Sequence, residues 1–527
     1  MTTLQTPPVQ PVRRLSVLRL FVAIVITAAL VAAGFVGWQM YSAQASAGKS
    51  GAWFASYVDV TATPQYAFED PTTSADKQVV LSFVVAASDG SGCTPSWGGA
   101  YSLDEASDSL DLDRRIARLQ QQGGDIAISF GGLDNQELAV TCDSVSQLAA
   151  AYESVIDRYN ITTIDLDIEG AALTNSAANT RRAEALEIVQ QKLRSEGKSL
   201  AIWLTLPVAP SGLQIGGQDV VRATLAGKVD IAGVNAMTMD YGKLTHGQTM
   251  LQASESALIE TERQLGILYR QADITLNDGT LWSKIGATPM IGQNDSKGEV
   301  FTIADAKALN SFAASKGVGR MSMWSLNRDV SCGSNYVTLS VVSDSCSGVK
   351  QGGQSFATLL ARHFAGSTDF ASKTVTKSEP VSSKSLKDNP KTSPYPIWSK
   401  NDSYLEGTKI VWHHNVYVAK WWTQGDLPDN PVLNSWQTPW TLIGPVLKGE
   451  KPIIQPTVPA GTFPTWDGTV AYNKGDRVLF DGTPYQAKWW TQGDSPAAAS
   501  SNPDSSPWVP LTVAQINQID KELKAKS

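Results

Sequence analysis

The run Ile164-Asp165-Leu166-Asp167-Ile168-Glu169-Gly170 sets three carboxylates at alternate positions of an otherwise apolar stretch. In a β-strand that spacing puts Asp165, Asp167 and Glu169 on one face and the aliphatic residues on the other. Three carboxylates crowded on one enclosed face repel one another, so at least one holds a proton at neutral pH. A carboxyl of that kind is a candidate general acid. Two other assignments compete. A solvated acidic face on an edge strand runs against the flanking Ile161, Ile164, Leu166 and Ile168, which ask for burial. A divalent metal site would want other ligands close by, but the four histidines are scattered along the chain and no Cys-x-x-Cys pair occurs, so no metal is expected.

A buried strand needs neighbours. Short apolar runs suited to strands buried on both faces recur at Trp53–Asp59, Gln78–Ala86, Asp125–Phe130, Ile161–Glu169, Leu200–Leu206, Val229–Met239, Thr288–Gly292 and Arg320–Ser325. Helical patterns lie between many of them, as at Gln147–Tyr159, Thr180–Ser195, Ser254–Gln271 and Ile303–Lys316. Eight strands alternating with helices predict an α/β protein with a TIM (β/α)8 barrel over residues 50–365; a doubly wound open sheet is the competing fold. Glu169, at the C-terminal end of the fourth strand, would sit on the face where such barrels build their active sites.

The fourth-strand segment resembles the Asp-x-x-Asp-x-Asp-x-Glu signature of family 18 glycoside hydrolases, the chitinase family, with Thr162 standing where the first aspartate is usual. Ser129-Phe130-Gly131-Gly132 is similar to the family's third-strand motif. The run Val234 to Gly242 resembles its sixth-strand motif, with Met239 in place of a tyrosine and Tyr241 as the candidate replacement if the strand continues. Met321-Ser322-Met323-Trp324-Ser325 is similar to the eighth strand. The resemblance implies hydrolysis of chitin and chito-oligosaccharides without a cofactor, by substrate-assisted retention. In it Glu169 is the acid/base, Asp167 orients the substrate's acetamido group and Asp165 sets the proton balance of Asp167. Tyr57, Ser129, Gly131, Met237, Asp240, Tyr241 and Trp324 then bind substrate. A catalytically silent chitin-binding or adhesion protein, and an endo-β-N-acetylglucosaminidase acting on other glycans, are the alternatives that share this barrel.

Beyond the barrel, residues 366–394 are rich in Ser, Thr, Lys and Pro and read as a linker. A repeat follows. Trp398, Tyr404, Tyr417, Trp421, Trp422 and Trp440 recur 68 positions later as Trp466, Tyr472, Tyr485, Trp489, Trp490 and Trp508, with Ala-Lys-Trp-Trp-Thr-Gln-Gly-Asp identical in both copies. Two small β-rich modules, 395–447 and 464–512, are expected, spaced by a proline-rich linker at 448–463 and followed by a tail at 513–527. If each Trp pair lay in a strand, one indole would be buried and the other exposed. The approach Tyr472, Gly475, Val478 to Trp489 resembles carbohydrate-binding modules of families 5 and 12, which implies that Trp421, Trp422, Trp489 and Trp490 all bind chitin.

With 527 residues, several domains are needed. A net charge of -7 excludes a nucleic-acid binder by electrostatics and suits a neutral polymer. Arg13, Arg14 and Arg19 precede an apolar run from Leu20 to Trp38, so residues 1–48 read as a cytoplasmic tail with either a cleaved signal peptide or a membrane anchor. The protein is expected outside the cytoplasm, secreted or tethered to the outer face of the membrane, as a monomer. The even cysteine count agrees with that compartment. Cys93 should pair with Cys142, because they follow neighbouring strands, and Cys332 with Cys346 across a short loop.

Overall fold

The computed structural model describes residues 51–527 except 246, 335, 337–340, 370–385, 453–457, 501–503 and 527. The expected export segment at 1–48 therefore lies outside the described residues, among which no helix is long and apolar enough to cross a membrane. The described chain divides into two compact units, one holding the barrel strands and the other the C-terminal repeat together with Arg263–Asn277.

Eight parallel strands close on themselves in the first unit. They are Trp53–Phe54 continued by Ser56–Asp59, then Gln78–Ala86, Asp125–Gly131, Thr163–Asp167, Ala201–Ala209, Gly233–Met237, Ile285–Thr288 and Arg320–Met321. Each pairs with the next, and the first also pairs with the eighth, Trp53 opposite Arg320, so the ring has no free edge. Helices follow most strands, among them Val145–Tyr159, Ser176–Ser195, Met250–Gln271 and Ile303–Lys316. Two start ahead of their apolar pattern because a cap starts them: Ser144 accepts from Gln147 N at 3.3 Å, and Asn175 from Ala178 N at 3.0 Å.

The seventh strand ends where it was expected to begin. Ile285-Gly286-Ala287 is too small to read as a strand, yet a Cβ on Gly286 would lie 2.7 Å from Asn235 Oδ1, so the neighbouring side chain requires glycine there. Pro289, lacking an N–H, stops the ladder. The sixth strand stops at Met237 rather than Met239, and Asp240 takes a left-handed φ of 49°. The eighth is limited to Arg320–Met321, with Trp324 bridging Met290 beyond it.

Both expected disulfides are present: Cys93–Cys142, and Cys332–Cys346. The linker expected from residue 366 starts later, because Gly366 N donates to Ala52 O at 2.8 Å and Thr163 Oγ1 donates to the Thr368 carbonyl at 2.8 Å under the barrel. At its far end Asp388 already belongs to the first module, accepting from His413 N at 2.8 Å.

The repeat folds as two copies of one frame, each a three-stranded antiparallel sheet beside a two-stranded ribbon. The sheets are Lys409–Trp412, Asn415–Ala419 and Trp440–Pro445 in the first copy, and Arg477–Phe480, Thr483–Ala487 and Trp508–Pro510 in the second. Hydrogen bonds recur at the same offset: Trp440 Nε1 to Asp426 O at 2.9 Å, and Trp508 Nε1 to Asp494 O at 2.8 Å. The spacer and tail differ from expectation. Val458 is buried against Leu511 and Ile516, so the second module takes in the end of the spacer and the helix Val513–Lys526.

Candidate active site

The barrel interior explains why three carboxylates can share one strand. Asp165, wholly buried, accepts four hydrogen bonds. Tyr57 Oη and Ser129 Oγ donate to its Oδ2, each at 2.8 Å; Thr205 Oγ1 donates to Oδ1 at 2.6 Å, and Arg320 Nη1 donates to the same oxygen. Arg320 is itself fully buried, its guanidinium 5.0 Å from the Trp53 ring and 5.5 Å from that of Trp203. Removing one partner of such a pair costs about 3–5 kcal/mol. Asp165 is thereby anchored as an acceptor at the floor of the site.

One layer up, Asp167 is 5% exposed, and its Oδ1 is buried without a hydrogen-bond partner. Burial, then the charges of Glu169 and Asp165, push its carboxyl well above the usual range. Glu169 follows the strand at the start of the short helix Gly170–Thr174. Burial first, then Asp240 and Asp134, raise its pKa to about 7. The three side chains that alternation puts on one face thus differ by depth: an anchored acceptor, a buried acid, and an acid poised near neutrality.

Asp167 and Glu169 open into a cleft of about 330 Å³, also lined by Tyr57, Met237, Met239, Asp240 and Trp324. Trp324 stacks on Phe83, their ring centroids 5.5 Å apart and planes at 26°, which makes an apolar wall beside the acids. Seven of the cleft's lining residues are Asp or Glu and none is Lys or Arg. That acidity is the Coulombic source of Glu169's shift.

Three expected substrate contacts lie elsewhere. Ser129 is wholly buried and spends its hydroxyl on Asp165. Gly131 is a packing residue, since a Cβ there would sit 2.0 Å from the Asp167 carbonyl. Tyr241 does not replace the tyrosine lost at Met239: its strand has ended, and its hydroxyl lies 3.3 Å from Ser254 Oγ on the helix Met250–Gln271. Asp240 does face the cleft, and its Oδ1 accepts from Ser296 N at 2.7 Å. The sequence reading missed Arg320, Thr205 and Asn235 as site residues. Asn235 Nδ2 donates to Thr205 Oγ1 at 3.0 Å, completing the polar layer. The available signal was an arginine opening an apolar strand, which a barrel interior tolerates only with a partner.

A pH profile follows from Glu169. If Glu169 is the general acid it must be protonated to act, so kcat/KM should fall as pH rises through about 7. Asp134→Asn removes a negative charge that raises this pKa, and should move the falling limb to lower pH. A profile flat through that range, or unmoved by Asp134→Asn, would contradict the role.

In the modules, Trp421 and Trp422 are 42% and 53% exposed, and Trp489 and Trp490 are 45% and 61% exposed. The alternating burial expected of a strand fails because each pair lies in the turn between strands, before Thr423–Gln424 and Thr491–Gln492. Lys420 lies 4.9 Å over Trp421 and Lys488 4.4 Å over Trp489, which braces one indole of each pair.

Residues 465–509 match Carbohydrate-binding module family 5/12. The chain is 37% identical over 262 residues to a probable bifunctional chitinase/lysozyme of Escherichia coli (strain K12), covering 48% of this chain and 28% of that protein. It is 36% identical over 257 residues to endochitinase 11 of Metarhizium anisopliae, covering 47% of each. The chain thus spans less than half the length of these curated relatives. Among solved structures it is similar to active domain 2 of a chitinase from Pyrococcus furiosus, with a TM-score of 0.50 and 28% identity over 60% of this chain and 94% of that one.

Proposed function

We propose that this chain, a relative of the family 18 chitinases carrying a family 5/12 carbohydrate-binding module, hydrolyses the β-1,4 linkages of chitin with retention at the anomeric carbon. The observation that carries the reading is the graded carboxylate series: Asp165 held by four donors, Asp167 pushed well above the usual carboxylate range with an unpartnered buried oxygen, and Glu169 raised to about 7 beside the Trp324 wall.

Glu169 gives its proton to the glycosidic oxygen as the bond to the anomeric carbon breaks. The substrate's own acetamido oxygen attacks that carbon from the other side and forms an oxazolinium ring. Asp167 Oδ1 accepts from the acetamido N–H and aims the carbonyl, while the charge of Asp165 raises and that of Arg320 lowers the pKa of Asp167. Glu169, now a carboxylate, takes a proton from water, which opens the ring and restores the anomeric configuration. Asp240 lies at the mouth of the same cleft, where it tunes Glu169.

Both C-terminal modules bind the polymer through their exposed indoles, which stack on the apolar faces of sugar rings. The two disulfides and the basic-then-apolar N-terminal segment support a location outside the cytoplasm, with that segment either removed or kept as an anchor.

Replacing Trp421, Trp422, Trp489 and Trp490 together by Ala should leave hydrolysis of soluble chito-oligosaccharides unchanged. Release of oligosaccharides from crystalline chitin should fall about tenfold, because the modules act by raising local concentration. Chromatography of products from both substrates measures this. Equal loss on both would place the tryptophans in the fold or the cleft; absence of N-acetylglucosamine oligomers from colloidal chitin would sink the activity itself.

A further inference from the structure

The two modules share a frame but not an edge. Ser403, in the ribbon of the first module, donates through Oγ to the Gly493 carbonyl of the second, and accepts from Ser495 N at 3.1 Å. The backbones of Ser403 and Asp494 also bridge. Ser403 is 3% exposed and Ser495 1%. Burial, and then the charge of Asp481 in the second module, push the Asp402 carboxyl up.

The repeat offset shows that this contact is head-to-tail. The residue equivalent to Ser403 in the second module is Ala471, which is exposed and has no hydroxyl; the residue equivalent to Ser495 in the first is Leu427, 45% exposed. A heterologous contact could in principle recur indefinitely. Here the hydroxyl that joins the modules is missing from the corresponding edge at Ala471, so that edge does not offer the same clasp.

The contact also lies next to both tryptophan pairs. Trp422 is two residues before Gln424, the strand partner of Ser403, and Trp490 is three residues before Gly493. Extended chain covers at most about 3.6 Å per residue, so the two pairs are separated by no more than about 30 Å along this path.

We propose that the two modules form one rigid bivalent surface for crystalline chitin, clasped at Ser403 and Gly493–Ser495, rather than two sites on a flexible spacer. The inference rests on the reading that both modules bind chitin. A crystalline face repeats its sugar rings at many equivalent positions, so a fixed pair of indole platforms engages two of them without ordering a linker.

The test uses the full chain with spin labels at Leu442→Cys and Val470→Cys, which are 57% and 43% exposed and outside the contact. A single narrow distance distribution is expected. Ser403→Arg should broaden it and weaken binding to crystalline chitin about tenfold, with hydrolysis of soluble oligosaccharides unchanged; Ser403→Ala should do less of both. Ala471→Arg, the same substitution at the open edge, should alter neither, and it separates loss of the clasp from damage to a module. A broad distribution in the parent chain, or broadening by Ser403→Arg with chitin affinity intact, overturns the clasp. A narrow distribution combined with full chitin binding by the variant lacking all four tryptophans overturns the proposal through the module assignment instead.

Discussion

Glu169→Gln should lower turnover of chito-oligosaccharides about a thousandfold while leaving their binding nearly unchanged, because the amide keeps the shape of the carboxyl but has no proton to give. The size of the loss should depend on the leaving group. A sugar alkoxide cannot depart without a proton, whereas a nitrophenolate can, so an aryl chito-oligosaccharide should suffer much less in the glycosylation step. The limb that falls through about pH 7 should also disappear, since the group that titrates there is gone. Steady-state kinetics on both substrates across pH measure all three effects. A uniform loss on both substrates with the limb kept would mean that Glu169 supports the fold of the site and that another group supplies the proton.

The same residue shows how far the amino-acid pattern reaches. Period-two carboxylates inside an apolar run specify a buried acidic strand face, and that face is where Asp165, Asp167 and Glu169 are found. What the pattern does not contain is the partner across the barrel. Arg320 is 155 residues away from Asp165, and only closure of the ring brings them together. Without Arg320 the three carboxylates look equivalent; with it the deepest becomes an anchored acceptor, while burial and neighbouring charge push Asp167 and Glu169 upward. Tyr241 fails for a local reason of the opposite kind. Period two carried past Met237 puts Tyr241 on the cleft face, but Asp240 adopts a left-handed backbone and turns the chain, so the hydroxyl meets Ser254. The tryptophan pairs fail likewise: strand alternation does not hold for residues that lie in a bend just before a strand, and both indoles of each pair emerge. Strand runs rich in aliphatic residues were legible, while Ile285-Gly286-Ala287 was not, because its small residues answer to Asn235 rather than to bulk apolar packing.

The layering of charge leads to the second large effect. Asp167→Asn should reduce turnover by two to three orders of magnitude, about 3–4 kcal/mol of transition-state stabilisation, within the range for loss of one preorganised group at a reacting centre. Asparagine can still offer an oxygen, but its amide has no acidic proton to exchange with Glu169 and presents two N–H donors to a floor already filled by donors around Asp165. The acetamido group then loses its orienting acceptor when its carbonyl must attack. The substrate supplies a test that no mutation confounds. If the acetamido oxygen is the nucleophile, a sugar with a free amine in the cleaved subsite has nothing to attack with, and should be hydrolysed very slowly even though it fits. The attack and the later attack of water each invert the anomeric carbon, so the first product must be the β-anomer. Proton NMR recorded before mutarotation should show the β-signal rising first. An initial α-signal would require direct attack by water, and ready cleavage with glucosamine in that subsite would require water or an enzyme carboxylate as the nucleophile; in either case Asp167 would be a structural acid rather than the residue that aims the substrate.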